Sequence, residues 1–156
     1  MSDKTIVVGV HPGQPVDVVR TAAAFAHDLG AVLICAFVDV TQFGQDGDLR
    51  PIDPDTESDG DARELRERLD AVLADVEANW DFQVLGGNPA EALALLAADL
   101  GAYSIVVGTR HRGLRAGALE FFGGSVAVHL AHHQHLPVVV VPLSPTPAGQ
   151  AAPWES

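Results

Sequence analysis

The sequence predicts a single doubly wound α/β domain, a five-stranded parallel sheet of order 3-2-1-4-5 with helices on both faces. Three observations carry that expectation. Five short apolar runs, several of them β-branched, recur along the chain, and the strongest are too apolar on both faces for exposed strands. The longer segments between them repeat apolar residues at intervals of three and four, the period of an amphipathic helix. The 156 residues suffice for one core that removes roughly two-thirds of the unfolded surface from water. Parallel strands joined by helices need right-handed crossovers, and in this order the chain reverses direction beside strands 1 and 4. The crevice at their carboxyl ends is where such sheets bind ligands, here between Val10-His11-Pro12-Gly13 and the segment from Gly108 to Ser125.

Thr5 to Val10 is the first strand, ended by the breakers Pro12, Gly13 and Pro15. From Val16 to Leu29 the residues Val16, Val19, Ala23, Ala26 and Leu29 trace one helix face, and Gly30 is placed to end it. Val32 to Val38 is a buried second strand. Residues 39 to 60 are polar and rich in Asp, Gly and Pro, which reads as a mobile excursion. Asp61 to Asn79 is an amphipathic helix with Leu65, Leu69, Val72, Leu73 and Val76 inward and pairs such as Glu64 with Arg68 outward. Phe82 to Leu85 is a short third strand. Pro89 suits the first turn of a third helix, whose stripe is Ala92, Leu93, Leu96, Ala97 and Leu100 before Gly101 stops it. Ser104 to Val107 is the fourth strand. After a loop to about Gly124, Ser125 is expected to cap a helix running to roughly Gln134, and Pro137 to Pro142 encloses the fifth strand. The domain therefore spans 1–143, with 144–156 a disordered tail containing Pro145, Pro147 and Pro153.

A net charge of −12 repels phosphate backbones and anionic lipid heads, which argues against nucleic-acid or membrane-surface partners. The longest apolar stretches fall far short of the roughly 20 residues a membrane span requires. Met-Ser-Asp-Lys leads directly into the first strand, so a cytoplasmic protein is expected. The single cysteine, Cys35, lies within an apolar run and reads as a buried, inert thiol. Arg110, Arg112 and Arg115 nevertheless gather within six residues of this acidic chain, as a solvated loop or as a local attraction for an anion.

The loop after strand 4 holds the chemistry of interest. Gly108-Thr109-Arg110-His111-Arg112-Gly113 leaves the strand, and Gly123-Gly124-Ser125 opens a helix toward Val126. Glycines permit close backbone approach, and a helix N-terminus presents free amides with a favourable dipole, so a phosphate suits that arrangement. The alternative is that these glycines only shape turns. The spacing matches neither Gly-x4-Gly-Lys-[Ser/Thr] nor Gly-x-Gly-x2-Gly.

Over about Thr5 to Pro142 the chain resembles the universal stress proteins. Ile6-Val-Val-Gly-Val10 is similar to that family's first strand, and Gly87-Asn-Pro-Ala-Glu-Ala-Leu93 to its Gly-x-Pro element. Ser104-Ile-Val-Val-Gly-Thr109 is similar to its fourth strand and turn, and Gly124-Ser-Val-Ala127 with Leu136 to Pro142 to its end. The resemblance implies an adenine nucleotide alpha hydrolase-like fold, a stress-response regulatory module, and ATP or AMP as ligand, with Mg if ATP. The implied nucleotide-binding residues are Val10, His11, Val38, Gly108, Thr109, Arg110, Gly113, Gly123, Gly124, Ser125 and Val126. It also implies a homodimer through Val138, Val139, Val140 and Val141, and at most slow ATP hydrolysis, not a conventional enzyme. Nucleotide-binding members carry Gly-x2-Gly-x9-Gly-[Ser/Thr]. Here His111 takes the second glycine's place, Gly113 and Gly123 keep the nine-residue interval, and the loop is three residues longer. His11 also stands where such relatives have an aspartate. The alternative function is a nucleotide-free dimeric interaction protein of the same fold.

Other constellations are weaker. His129, His132, His133 and His135 include metal-ligand spacings on one helix, but no third ligand is evident nearby, and histidines at a helix C-terminus are the plainer reading. His11-Pro-Gly-Gln14 lacks the second histidine of a nucleotidyltransferase turn. Leu85-Gly86 supplies no phospho-acceptor aspartate, and Ser125 has no nucleophile elbow.

Overall fold

Strand and helix alternate along the chain in a computed structural model that describes residues 4–39, 60–109 and 124–143. The strands are β1 (Thr5–Val10), β2 (Val32–Asp39), β3 (Trp80–Gly86), β4 (Ser104–Gly108) and β5 (Val138–Val141). The helices are α1 (Asp17–Leu29), α2 (Gly60–Val72), α3 (Pro89–Asp99) and α4 (Gly124–His133). All strand pairs are parallel and the order is β3-β2-β1-β4-β5, as expected from the alternation. Val7, at the sheet's centre, lies opposite Ile34 on one side and Ile105 on the other.

Period-two alternation sorts each strand's side chains between two cores. Ile6, Val8 and Val10 of β1, with Leu33, Cys35 and Phe37 of β2, pack under α1 and α2. Val7, with Ile34, Ala36 and Val38 of β2, packs under α3 and α4. Leu33, Ile105 and Leu130 have no solvent exposure at all.

The helix ends follow local chemistry. Gly30 closes α1 at φ +64, with its amide donating to His27 O at 3.1 Å. Asn88 caps α3, its Oδ1 accepting from the Glu91 amide at 3.2 Å, and Pro89 occupies the first turn. At the end of α4, Gln134 takes over the capping. Its Nε2 donates to Leu130 O at 3.0 Å and to Leu136 O at 2.7 Å, while its Oε1 accepts from the Leu136 amide at 2.8 Å.

Several boundaries differ from expectation. The helix expected over 61–79 ends at Val72, where the Val76 amide turns back to Leu73 O at 3.2 Å and drops Leu73 into the core. That early end frees the chain to extend β3 to seven residues. Among the described residues Arg68 does not pair with Glu64; instead Arg66 pairs with Asp70 at 4.0 Å, and Arg66 also lies 5.5 Å from the Trp80 ring centroid. Ser125 lies within α4, which runs from Gly124 to His133. Asp39 belongs to β2 and Gly60 to α2; the rest of the expected mobile excursion and the tail 144–156 lie outside the described residues.

Candidate functional site

The crevice forms where β1 and β4 end side by side. Gly9 and His11 come from the β1 terminus, Ala36 and Val38 from β2, and Val107 and Gly108 from β4. Leu93 of α3 and Val126 of α4 close it from the helical side, and Gln14 enters from the turn after β1. Its enclosed space is small, about 20 Å3. Its walls are aliphatic, which suits the flat face of an apolar or aromatic ring.

Polar groups are few and placed. His11 is 6% exposed, with Nδ1 3.1 Å from Pro12 O. Gln14 is 7% exposed; its Nε2 donates to Gly9 O at 3.3 Å, and its amide donates to His11 O at 3.2 Å, closing the turn. Sequence reasoning missed Gln14 because it sits among the turn breakers Gly13 and Pro15, where a polar residue reads as solvated. Gly9 and Ala36 were legible from period two, being two residues from His11 and Val38 on the same faces.

Of the residues expected at the site, His11, Val38, Gly108 and Val126 come together at the crevice. Val10 does not. It faces the opposite core and lines a separate cleft under α1 and α2. Gly108 is a packing glycine, since a Cβ there would lie 2.8 Å from Val18 Cγ2 and 2.9 Å from Leu143 Cδ1. Thr109 is tied to the sheet's edge: its amide donates to Val141 O at 2.9 Å and its Oγ1 accepts from the Leu143 amide at 2.8 Å. Gly124 and Ser125 begin α4, directly before the crevice residue Val126. Arg110, Gly113 and Gly123, with His111, Arg112 and Arg115, lie outside the described residues.

The remaining chemistry-bearing groups lie elsewhere. Cys35 is buried in β2, and burial, reinforced by Asp81 and opposed by Arg66, pushes its thiol up to about 12. His129, His132, His133 and His135 are exposed, and the His129 and His133 rings lie 4.3 Å apart at 36°. Among the described residues, no group of three or more His, Cys, Asp or Glu side chains is arranged to hold a metal ion, and no helix is long and apolar enough to cross a membrane.

A parallel sheet of this order, with a crevice at the point where the strand order reverses, defines a doubly wound α/β domain. A family model described as the universal stress protein family matches residues 3–142, and the chain belongs to that family. Solved structures agree on the fold. A universal stress protein from Archaeoglobus fulgidus in complex with dAMP is 21% identical, with 88% of this chain and 97% of that one covered at a TM-score of 0.64. A universal stress protein in complex with cAMP is 26% identical, over 90% and 98% of the two chains at 0.61. An Arabidopsis thaliana family protein with AMP bound is 15% identical, over 94% and 97% at 0.57. Comparison with curated proteins finds no match.

Proposed function

We propose that the chain is a regulatory adenine-nucleotide-binding module that works in the cytoplasm, and that its crevice at the ends of β1 and β4 is the binding site. The observation that carries this reading is the crevice itself. It has aliphatic walls that include Ala36, Val38 and Leu93, and the first turn of α4 adjoins it. A helix N-terminus attracts phosphate through its unpaired amides and its dipole. Structural relatives with dAMP, cAMP and AMP support the same ligand class. Val38 and Val126 would sandwich the base, His11 and Gln14 would meet polar edges, and the Gly124-Ser125 turn would meet phosphate. AMP needs nothing further, whereas ATP would bring Mg2+ on its phosphates. The described side chains of the crevice include no nucleophile with an adjacent base, so the proposed role is holding nucleotide, with at most slow hydrolysis.

A second reading is a nucleotide-free interaction protein. It is favoured by His11 in place of a carboxylate and by Gly108 and Thr109, whose backbone and hydroxyl serve packing and the β4–β5 edge. Both readings include a homodimer. β5 is an edge strand with Val140 43% exposed, and pairing with a second copy would cover it. A dimer mass by sizing chromatography with light scattering is expected, and a monomer at tens of micromolar would reject the pairing. The readings separate when freshly purified protein is denatured and its supernatant analysed by mass spectrometry. Released AMP, ADP or ATP supports the nucleotide module. No released nucleotide, together with no binding heat on titration with ATP or AMP, leaves the interaction protein.

A further inference from the structure

We infer a binding site for a divalent transition-metal ion at the C-terminal end of α4, formed by the imidazoles of His129 and His133. Neither residue lines the crevice, and the site is independent of the nucleotide reading. The two histidines are four residues apart on one helix, so their side chains rise from the same face one turn apart. Their ring centroids are 4.3 Å apart and the rings are tilted by 36°. Imidazoles bound side by side to one ion, each nitrogen about 2.1 Å from it, stand at a comparable separation. Both side chains are exposed, and neither has a hydrogen-bond or ion-pair partner among the described residues, which leaves their ring nitrogens available to a metal.

The surrounding structure prepares the pair. Leu130, next to His129, is wholly buried and anchors this turn of the helix in the core. Gln134 pins the chain directly after His133, its Nε2 donating to Leu130 O at 3.0 Å and to Leu136 O at 2.7 Å. The turn that carries His133 is therefore held where a helix end would otherwise fray, and closing the chelate costs only side-chain entropy. Charge favours the same place. The last carbonyls of a helix give that end a partial negative charge, and the chain's net charge of −12 adds a general attraction for cations. His11 and His27 are placed differently: His11 is buried with Nδ1 3.1 Å from Pro12 O, and His27 Nδ1 lies 3.2 Å from Asp28 Oδ1.

The donor set decides which ions fit. Imidazole nitrogen suits Zn2+, Ni2+ and Cu2+, whereas Mg2+ and Ca2+ take oxygen ligands. Affinity should rise from Ni2+ to Cu2+, with Zn2+ below Cu2+. No group of three or more His, Cys, Asp or Glu side chains is arranged for a metal among the described residues, so water completes the coordination. Such a site holds an exchangeable ion, unlike the closed four-ligand sites of structural zinc.

The test is a calorimetric titration of Zn2+ into the full, untagged chain, joined to amide spectra of the 15N-labelled chain with substoichiometric Cu2+, whose paramagnetism broadens nearby signals. Saturable binding of one Zn2+ per chain is expected, with no binding of Mg2+. Cu2+ should broaden Val128 to Gln134 before Ala26 to Asp28. His129→Ala and His133→Ala should each weaken Zn2+ on the order of tenfold or more, because one imidazole cannot chelate. His132→Ala and His27→Ala should leave the affinity within about twofold. All four positions are exposed, and circular dichroism checks that each variant folds. The site is overturned by absence of saturable binding at millimolar Zn2+, by broadening that starts at His27, or by His129→Ala and His133→Ala variants that bind as wild type. A loss on His132→Ala equal to that on His129→Ala would overturn it too.

Discussion

Glycines 9 and 108 both line the crevice, yet they tolerate change differently because different atoms fill the space beside them. A methyl at Gly9 would meet the tip of Leu93 at 3.1 Å, and a leucine tip can rotate away. At Gly108 the methyl meets two side chains, Val18 at 2.8 Å and Leu143 at 2.9 Å. Gly108→Ala should therefore cost about 1–3 kcal/mol by overpacking, read as a lower urea midpoint, whereas Gly9→Ala should cost less than half of that. Equal midpoints for the two variants would contradict the packing role. Cys35 offers a second check. Its folded thiol is held up to about 12 from an ordinary value of 9.0, so the unfolded chain gives up its proton first as pH rises. The thiol's stabilising effect is thus complete below pH 9.0 and is lost as pH climbs toward about 12. In native protein at pH 8 a thiol reagent such as DTNB should react only at the rate of unfolding, and a rapid stoichiometric reaction would refute the burial. The residue scale is also where the sequence was least legible. Gly108 reads as a flexible phosphate-loop glycine from spacing alone, because only three-dimensional neighbours reveal that Val18 and Leu143 need its missing side chain.

Elements were legible wherever a local rule decided them. The αL stop at Gly30 and the Asn88-Pro89 start of α3 follow from chemistry that acts within a few residues. Asn88→Ala should lower stability by about 1 kcal/mol through the lost bond to the Glu91 amide, and thermal melts followed by circular dichroism measure it. A melt identical to wild type would show that the cap contributes nothing. The end of α2 was not legible, since Leu73 and Val76 continue the helical period but serve a turn that sinks Leu73 into the core. Periodicity reports which residues face inward, not which backbone conformation brings them there.

At the scale of the molecule, strand order and the position of the crevice followed from connectivity, because right-handed crossovers leave few topologies for five alternating units. What lines the crevice was legible only in part. His11 lies in the segment after strand 1 expected to line the crevice, and Val38 and Val126 were implied by the family resemblance, whereas Gln14 and Leu93 reach it from a turn and from a helix across the sheet face. The result is a domain with two faces of different chemistry: a crevice between β1, β4 and α4, and an apolar cleft under α1 and α2, with His11 and Gln14 on the wall between them. The central claim is that the first of these receives an adenine nucleotide, and amide shift mapping during titration of the 15N-labelled chain with AMP and then ATP tests it most directly. The account predicts saturable shifts at Gly9, Ala36, Val38, Gly108 and Val126, with Leu65 and Leu69 unmoved. Spectra that stay unchanged to millimolar nucleotide, or that change only away from those five residues, would contradict it.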